Sequence, residues 1–525
     1  MKTIYTTIFV LLLAMLYMAW FYFNNLDKRT SINDTSIYAA TCNSGIVVRI
    51  QNDKSTFDIL KGQQLFKNII GEAKFKTLST LETTFTSSPE LFRCFDQQNS
   101  YISILPGEKG EMDLLLSTQL NETEDQKKLE EILKSSDFKI ENIPPLKKIT
   151  IADSSSFYLA STDHLVMISN SFEQVTKVLN QLKERKDNPF FEFLKENSNA
   201  RKSNLANLFI NFNKIPELLK TISTGINGDL IVLKNLNAFA SLNYNFSKER
   251  LLFNGSTLLT DPDNYHQLFS NLLPQKTIID NILPENTANY TLYAIESYSS
   301  WRKSLNLWLS KQKSKNIHNF SQTLSKKYHI NMEESIPKYT KNQFITFQLN
   351  TGEKLGAVNL TNGDKLEQQL LDISDSYTDE IRLFKEADLL YFYFGSAFQK
   401  FKRPYYVIID NYLIFSNYAS TLQNFLSHYK SNNLLINTNT YVAAVNQLSA
   451  TANVVFYLNN NQSEAIFRNN LLSPFYKHYR SKDGLRPFET LTWQLSGDKG
   501  KFQTNLLLNT KEEQKLIDTV VSITQ

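Results

Sequence analysis

Six histidines, two cysteines and many carboxylates could do chemistry in this chain, and their spacing decides what they can do. His164, His266, His318, His329, His428 and His478 include no His-Glu-x-x-His and no close pair. Nothing therefore sets two imidazoles on one helical face for a metal. There is no Gly-x-Ser-x-Gly elbow to present a nucleophilic serine. No Gly-x-Gly-x-x-Gly occurs, and Gly352-Glu353-Lys354-Leu355-Gly356 lacks the phosphate-loop spacing and its Lys-Ser/Thr ending. Asp261-Pro262-Asp263-Asn264 offers oxygens to calcium but lacks the remaining ligands of a calcium loop, so it reads as a turn. These patterns assign no catalytic residue, no cofactor and no metal, and the chain reads as a non-enzyme.

Cys42 and Cys94 match no zinc or redox spacing. In an oxidising compartment they would form one disulfide closing a loop of about fifty residues, worth about 3–4 kcal/mol by loop entropy. Two unrelated buried thiols are the alternative. The segment Phe475-Tyr476-Lys477-His478-Tyr479-Arg480-Ser481-Lys482 interleaves bases with aromatics, as platforms for single-stranded nucleic acid do. The net charge of +4 over 525 residues gives no mandate for nucleic acid. Lys477, Arg480 and Lys482 instead read as a basic contact patch for an acidic partner or anionic lipid, with Lys400, Lys402 and Arg403 as further candidates. A solvated face over buried rings is the plainer alternative. Leu389-Leu390-Tyr391-Phe392-Tyr393-Phe394 reads as a core strand.

The element that places these residues is at the N-terminus. Between Lys2 and Asp27 there is no charged side chain, and Ile4 to Phe23 is twenty residues long. At a rise of about 1.5 Å per residue that spans the ~30 Å hydrocarbon core. Ile4 and Leu12 fall in its apolar body, while Trp20 and Phe23 belong to an aromatic end suited to the headgroup level. The run is longer than a signal-peptide core and no small-x-small site follows it, so an uncleaved anchor over residues 1–26 is expected. An N-terminal anchor ahead of a large globular region exports that region. The bulk of the chain is expected outside the cytoplasm, on the periplasmic side of an inner membrane.

The full chain is 42% hydrophobic and 21% charged, and its body beyond the anchor has ample material for packed cores. That body reads as two copies of one unit. Asp163 to Leu182 matches Asp410 to Tyr429 at a shift of 247 residues. Each stretch holds a short apolar strand, a Ser-Asn pair suited to helix capping, and an apolar stripe at helical spacing. The stripes are Val175, Val178, Leu179, Leu182 and Leu422, Phe425, Leu426, Tyr429. Downstream, Ala206–Ile210 parallels Ala452–Phe456, and hairpins containing Tyr244 and Phe253 parallel those with Trp493 and Phe502. Both cysteines fall in the first copy, which favours the disulfide.

The anchor, the strand–Ser-Asn–helix element and the paired Ala-Asn strands resemble a group of bacterial membrane-anchored envelope proteins known only as a domain of unknown function. That resemblance implies an envelope location and lends no catalytic residues.

The expected architecture is α+β: an N-terminal transmembrane helix, then two tandem units with antiparallel sheets and helices packed on one face. The units are placed at 36–260 and 286–511, with a proline-containing linker at 261–285. The expected function is a binding or scaffolding module for an envelope protein partner, held to the membrane by the N-terminal helix, with no nucleic acid. A lipid or lipoprotein carrier with an apolar cavity, and an enzyme with a dispersed site, are the alternatives.

Overall fold

In the computed structural model the described residues run from 35 to 510. Breaks fall at 53–58, 60–61, 73–74, 77–78, 80–88, 97, 109–110, 123–124, 136–137, 151–155, 185–186, 199–204, 226–234, 246, 248–249 and 313–319. The expected anchor, with Ile4, Leu12, Trp20 and Phe23, lies outside the described residues. Among the described residues no helix is long and apolar enough to cross a membrane.

The chain divides into two compact units. The first takes residues through Gln63, Ala73–Ile222 and Phe239–Asn243; the second takes Gln64–Glu72, Ser223–Ala238 and Tyr244 onward. This differs from the expected division at 260. The strand Arg250–Leu259 belongs to the second unit because it pairs along its length with Lys501–Thr510. The segment expected as a linker, 261–285, is also part of that unit. It includes two single 3-10 turns, Tyr265–Phe269 and Ile279–Ile282, in which Tyr265, Phe269, Ile279 and Ile282 are buried.

The first unit is an antiparallel sheet. Its strands are β1 (Ile46–Gln51), β2 (Asn99–Pro106), β3 (Met112–Gln119), β4 (Lys139–Ile143) and β5 (Leu146–Thr150). They continue with β6 (Ser156–Thr162), β7 (Leu165–Ser169), β8 (Ala206–Asn211) and β9 (Ala238–Asn245). Their order is β4-β5-β6-β7-β3-β2-β1-β8-β9. All five residues of β7 are buried, so both faces of the sheet are covered there. Leu165 and Met167 pack with Val175, Val178 and Leu179 of the helix Phe172–Glu184. Val166 and Ile168, pointing the other way, pack with Leu129 and Leu133 of the helix Asp125–Ser135. Helix 35–41 is held against the sheet by two serines. Ser103 Oγ donates to the Ala40 carbonyl at 2.7 Å, and Ser117 Oγ to the Ser36 carbonyl at 3.0 Å.

The second unit contains β10 (Arg250–Leu259), β11 (Gln275–Lys276), β12 (Thr287–Ala294), β13 (Thr340–Leu349), β14 (Lys354–Leu360) and β15 (Ser374–Ser376). It continues with β16 (Arg382–Phe384), β17 (Tyr405–Ile409), β18 (Tyr412–Ser416), β19 (Thr451–Ala452), β20 (Val454–Asn459), β21 (Phe488–Asp498) and β22 (Lys501–Thr510). The main sheet, again antiparallel throughout, runs β15-β16-β17-β18-β14-β13-β12-β20-β21-β22-β10. β11 and β19 form a small separate ladder. The hairpin between β21 and β22 turns through Lys499 and Gly500, with φ of 51° and 89°. Two left-handed residues give a turn whose twist matches that of the strands, and glycine takes the second without strain.

Helices cover both faces of this sheet, not one as expected. Tyr290, Leu292, Ile345 and Phe347 meet Leu422, Phe425 and Leu426 of the helix Ala419–Lys430. The neighbouring residues Tyr293 and Phe344 point to the opposite face, toward Trp301 of the helix Tyr298–Lys311. β12 is buried at all eight positions, including the polar Thr287, Asn289 and Thr291 that alternate along one face. One further expectation is corrected here. The strand Ala452–Phe456 is broken at Asn453, whose buried side chain bonds to the carbonyls of Leu273 and Ala294 and to the Gly497 amide. The Asn453 main chain still bonds to the Leu495 carbonyl and the Ala294 amide, and it marks the break between β19, which pairs with β11, and β20, which pairs with β12 and β21.

Candidate functional site

The basic patch lies on the helix Ser473–Arg480, which opens with Pro474, a residue suited to a first helical turn. Tyr479 anchors the helix: it is buried, its ring lies 4.8 Å from that of Phe467, and its hydroxyl donates to the Asn460 carbonyl at 2.5 Å. Lys477 and Arg480, three residues apart, share the outward face. Lys482 follows just beyond the helix end and is exposed as well. Arg480 is not a free cation, since its Nε lies 3.3 Å from Glu464, which also accepts from Tyr476. That exposed pair contributes little to stability. Lys477 and Lys482 are what the patch offers an acidic surface. His478 turns inward, its Nε2 3.2 Å from the Ile69 carbonyl. Of the other candidate bases, Lys402 pairs with Asp388 at 2.9 Å, and Arg403 bonds the Phe384 carbonyl. They hold the chain around residues 384–388.

The run Leu389–Phe394 is a helix, not the expected core strand. Five of its six residues are buried, and a short run that is apolar on all sides carries no period to separate the two forms. What makes so short a helix stable is the treatment of its last four carbonyls. The Tyr391 carbonyl accepts from the Gly395 amide. The Phe392 carbonyl accepts from the Arg302 guanidinium. Tyr298 donates to the Tyr393 carbonyl at 2.7 Å, and Tyr265 to the Phe394 carbonyl at 2.5 Å. Arg302 is buried, lies over the Phe392 and Tyr393 rings at 4.4 and 4.7 Å, and pairs with Glu333 at 3.1 Å. These three side chains lie 90 to 129 residues away in sequence, a range over which spacing carries no signal. They fix an aromatic layer and occupy the last carbonyls of that helix.

Asp261 and Asp263 are also structural. Asp261 accepts from the Asp263 amide at 2.9 Å, as a side-chain turn does, and Asp263 pairs with Lys311 at 2.8 Å. Asn264 caps the turn Tyr265–Phe269 by accepting from the His266 amide. Among the described residues no group of three His, Cys, Asp or Glu side chains could hold a metal ion.

The disulfide expected between Cys42 and Cys94 is not formed; both thiols are free and buried. Cys42 packs with Leu165 and Met167, and Cys94 with Val166 and Ile168. Adjacent residues of one strand face opposite sides, so the sheet itself stands between the two sulfurs. Burial pushes the Cys42 thiol up to about 12. Burial, with the Asp125 carboxylate beside it, pushes Cys94 up to about 11. Both stay protonated near neutrality and neither is a nucleophile.

The fold is thus that of an α+β protein in which the antiparallel strands of each unit are covered by helices on both faces. The chain matches no protein-family model, no curated protein and no solved structure.

Proposed function

We propose that this chain is a single-pass, membrane-anchored envelope protein whose two related α+β units act as a binding or scaffolding module. The observation that carries the reading is the shared strand order. β4-β5-β6-β7-β3-β2-β1-β8-β9 in the first unit has its counterpart, strand for strand, in β15-β16-β17-β18-β14-β13-β12-β20-β21. A helix after β7, Phe172–Glu184, corresponds to one after β18, Ala419–Lys430. Within the second unit the ladder of β10 and β22 sets Ser256 opposite Gln503, and these positions are separated by the repeat shift of 247. A tandem duplication accounts for all three features.

Two related units give two related surfaces, and binding one partner through both raises avidity without new contacts. The anchor holds those surfaces near a bilayer, and Lys477 and Lys482 supply a positive rim for an acidic protein partner. Affinity purification of the full chain in mild detergent tests this. A stoichiometric partner is expected, with its recovery reduced severalfold by the double change Lys477→Glu and Lys482→Glu. Recovery of the protein alone would oppose the proposal.

A further inference from the structure

The second unit carries a carboxyl group in its hydrophobic core. Asp280 sits in the single turn Ile279–Ile282 and is 9% exposed. Around it lie Ile279, Ile282, Leu283 and Leu435. Tyr441, from the helix Asn439–Val445, donates its hydroxyl to Asp280 Oδ2 at 2.5 Å. Tyr441 also shares a hydrogen bond of 3.0 Å with the Tyr290 hydroxyl of β12. The ring of Tyr457, on β20, stacks on Tyr290 at 5.1 Å and meets Tyr441 edge-on at 5.2 Å. Oδ1 of Asp280 has no hydrogen-bond partner.

The groups facing this carboxyl are Tyr441 from its helix, Tyr290 from β12 and Tyr412 from β18. None is a cation, and Tyr412 itself lies beside a second carboxylate, Asp410. A negative charge on Asp280 would therefore be buried with Tyr441 as its one side-chain donor and no counter-ion, which is costly. Burial accordingly pushes the Asp280 carboxyl above the ordinary carboxylate range, against the opposing effect of the Tyr441 hydrogen bond.

The turn is tied to the chain around residue 434 by backbone bonds that break if it lifts. The Leu283 carbonyl accepts from the Leu435 amide at 2.7 Å, and the Glu285 amide donates to the Asn433 carbonyl at 3.0 Å. We propose that Asp280 is a proton-operated latch. Protonated, it closes the turn Ile279–Ile282 onto Tyr441 and the segment 433–435; ionised, it draws the turn toward water and loosens that contact.

The direction of the pH effect follows from the closed state holding a proton that the open state releases. The latch is fully closed below the open-state value of about 3.9 and weakens as pH rises to the closed-state value, by at most about tenfold per pH unit. Amide hydrogen exchange of the full chain between pH 4 and 8, corrected for intrinsic rates, measures this at Leu283 and Leu435. Protection in the native protein is expected to fall with pH, relative to Asp280→Asn, in which it stays level. Tyr441→Phe keeps the carboxyl and removes its one side-chain donor, so its loss of protection extends to higher pH. Matching profiles in the native protein and Asp280→Asn would overturn the latch. If Asp280→Asn does not fold, a Tyr441→Phe profile identical to the native one would do the same.

Discussion

Replacing Gly395 by alanine is expected to destabilise the second unit by about 4 kcal/mol, read as a lowered denaturant midpoint at unchanged m-value. Two costs add. Gly395 has φ +71° and ψ −151°, a region that side-chain-bearing residues hardly enter, worth about 1–3 kcal/mol. A Cβ there would also sit 2.5 Å from the Tyr265 ring and 3.0 Å from Leu305, which adds overpacking of about 1–3 kcal/mol. Tyr265 cannot yield cheaply, because its hydroxyl holds the Phe394 carbonyl and its ring meets Phe269, Tyr293 and Trp308. A loss under about 1 kcal/mol would mean that this aromatic layer is not the tightly packed one described.

Acid is expected to weaken the same unit through His266. The imidazole is buried, and burial pushes it down to about 4. Its Nδ1 lies 3.0 Å from Asn264 Oδ1, which has no proton to give, so Nδ1 carries the proton and donates. Nε2 has no partner, and protonating it would place an unpaired N–H and a charge in the core. The folded value lies below the unfolded value of about 6.5, so the unfolded chain binds the proton first. The associated stability is fully present above about 6.5 and is lost as pH falls through about 4, about 3 kcal/mol in all. Unfolding curves at pH 7 and pH 4 for the native protein and for His266→Gln measure it. The variant is expected to lose less than the native chain over that interval, and an equal loss in both would contradict the assignment.

How much of this could be read from residue order depended on the range of the interaction. The stripe Val175, Val178, Leu179 is local, so period alone placed it on a helix, and Leu422, Phe425, Leu426 likewise. The hairpin joining the strands of Trp493 and Phe502 was legible for the same reason. Leu389–Phe394 was not, because what makes it helical lies on Arg302, Tyr298 and Tyr265, whose bonds to it span 90 to 129 residues. Cys42 and Cys94 misled because one-dimensional spacing does not record that a sheet passes between them. Helices on both faces were not legible in β12, where Thr287, Asn289 and Thr291 alternate with apolar residues as on a half-exposed strand yet are buried; only the unbroken apolar run of β7 carried that signal. Among the candidate site residues, Lys477 and Lys482 are exposed, whereas Arg480 is engaged by Glu464, a partner supplied by tertiary structure.

The tether is the claim on which the proposed function stands. Alkaline carbonate extraction of membranes from cells expressing the full chain, with the N-terminus of the recovered protein determined by mass spectrometry, tests it directly. The protein should remain in the membrane pellet with Ile4 to Phe23 intact. Release into the supernatant of a species beginning after Phe23 would contradict it.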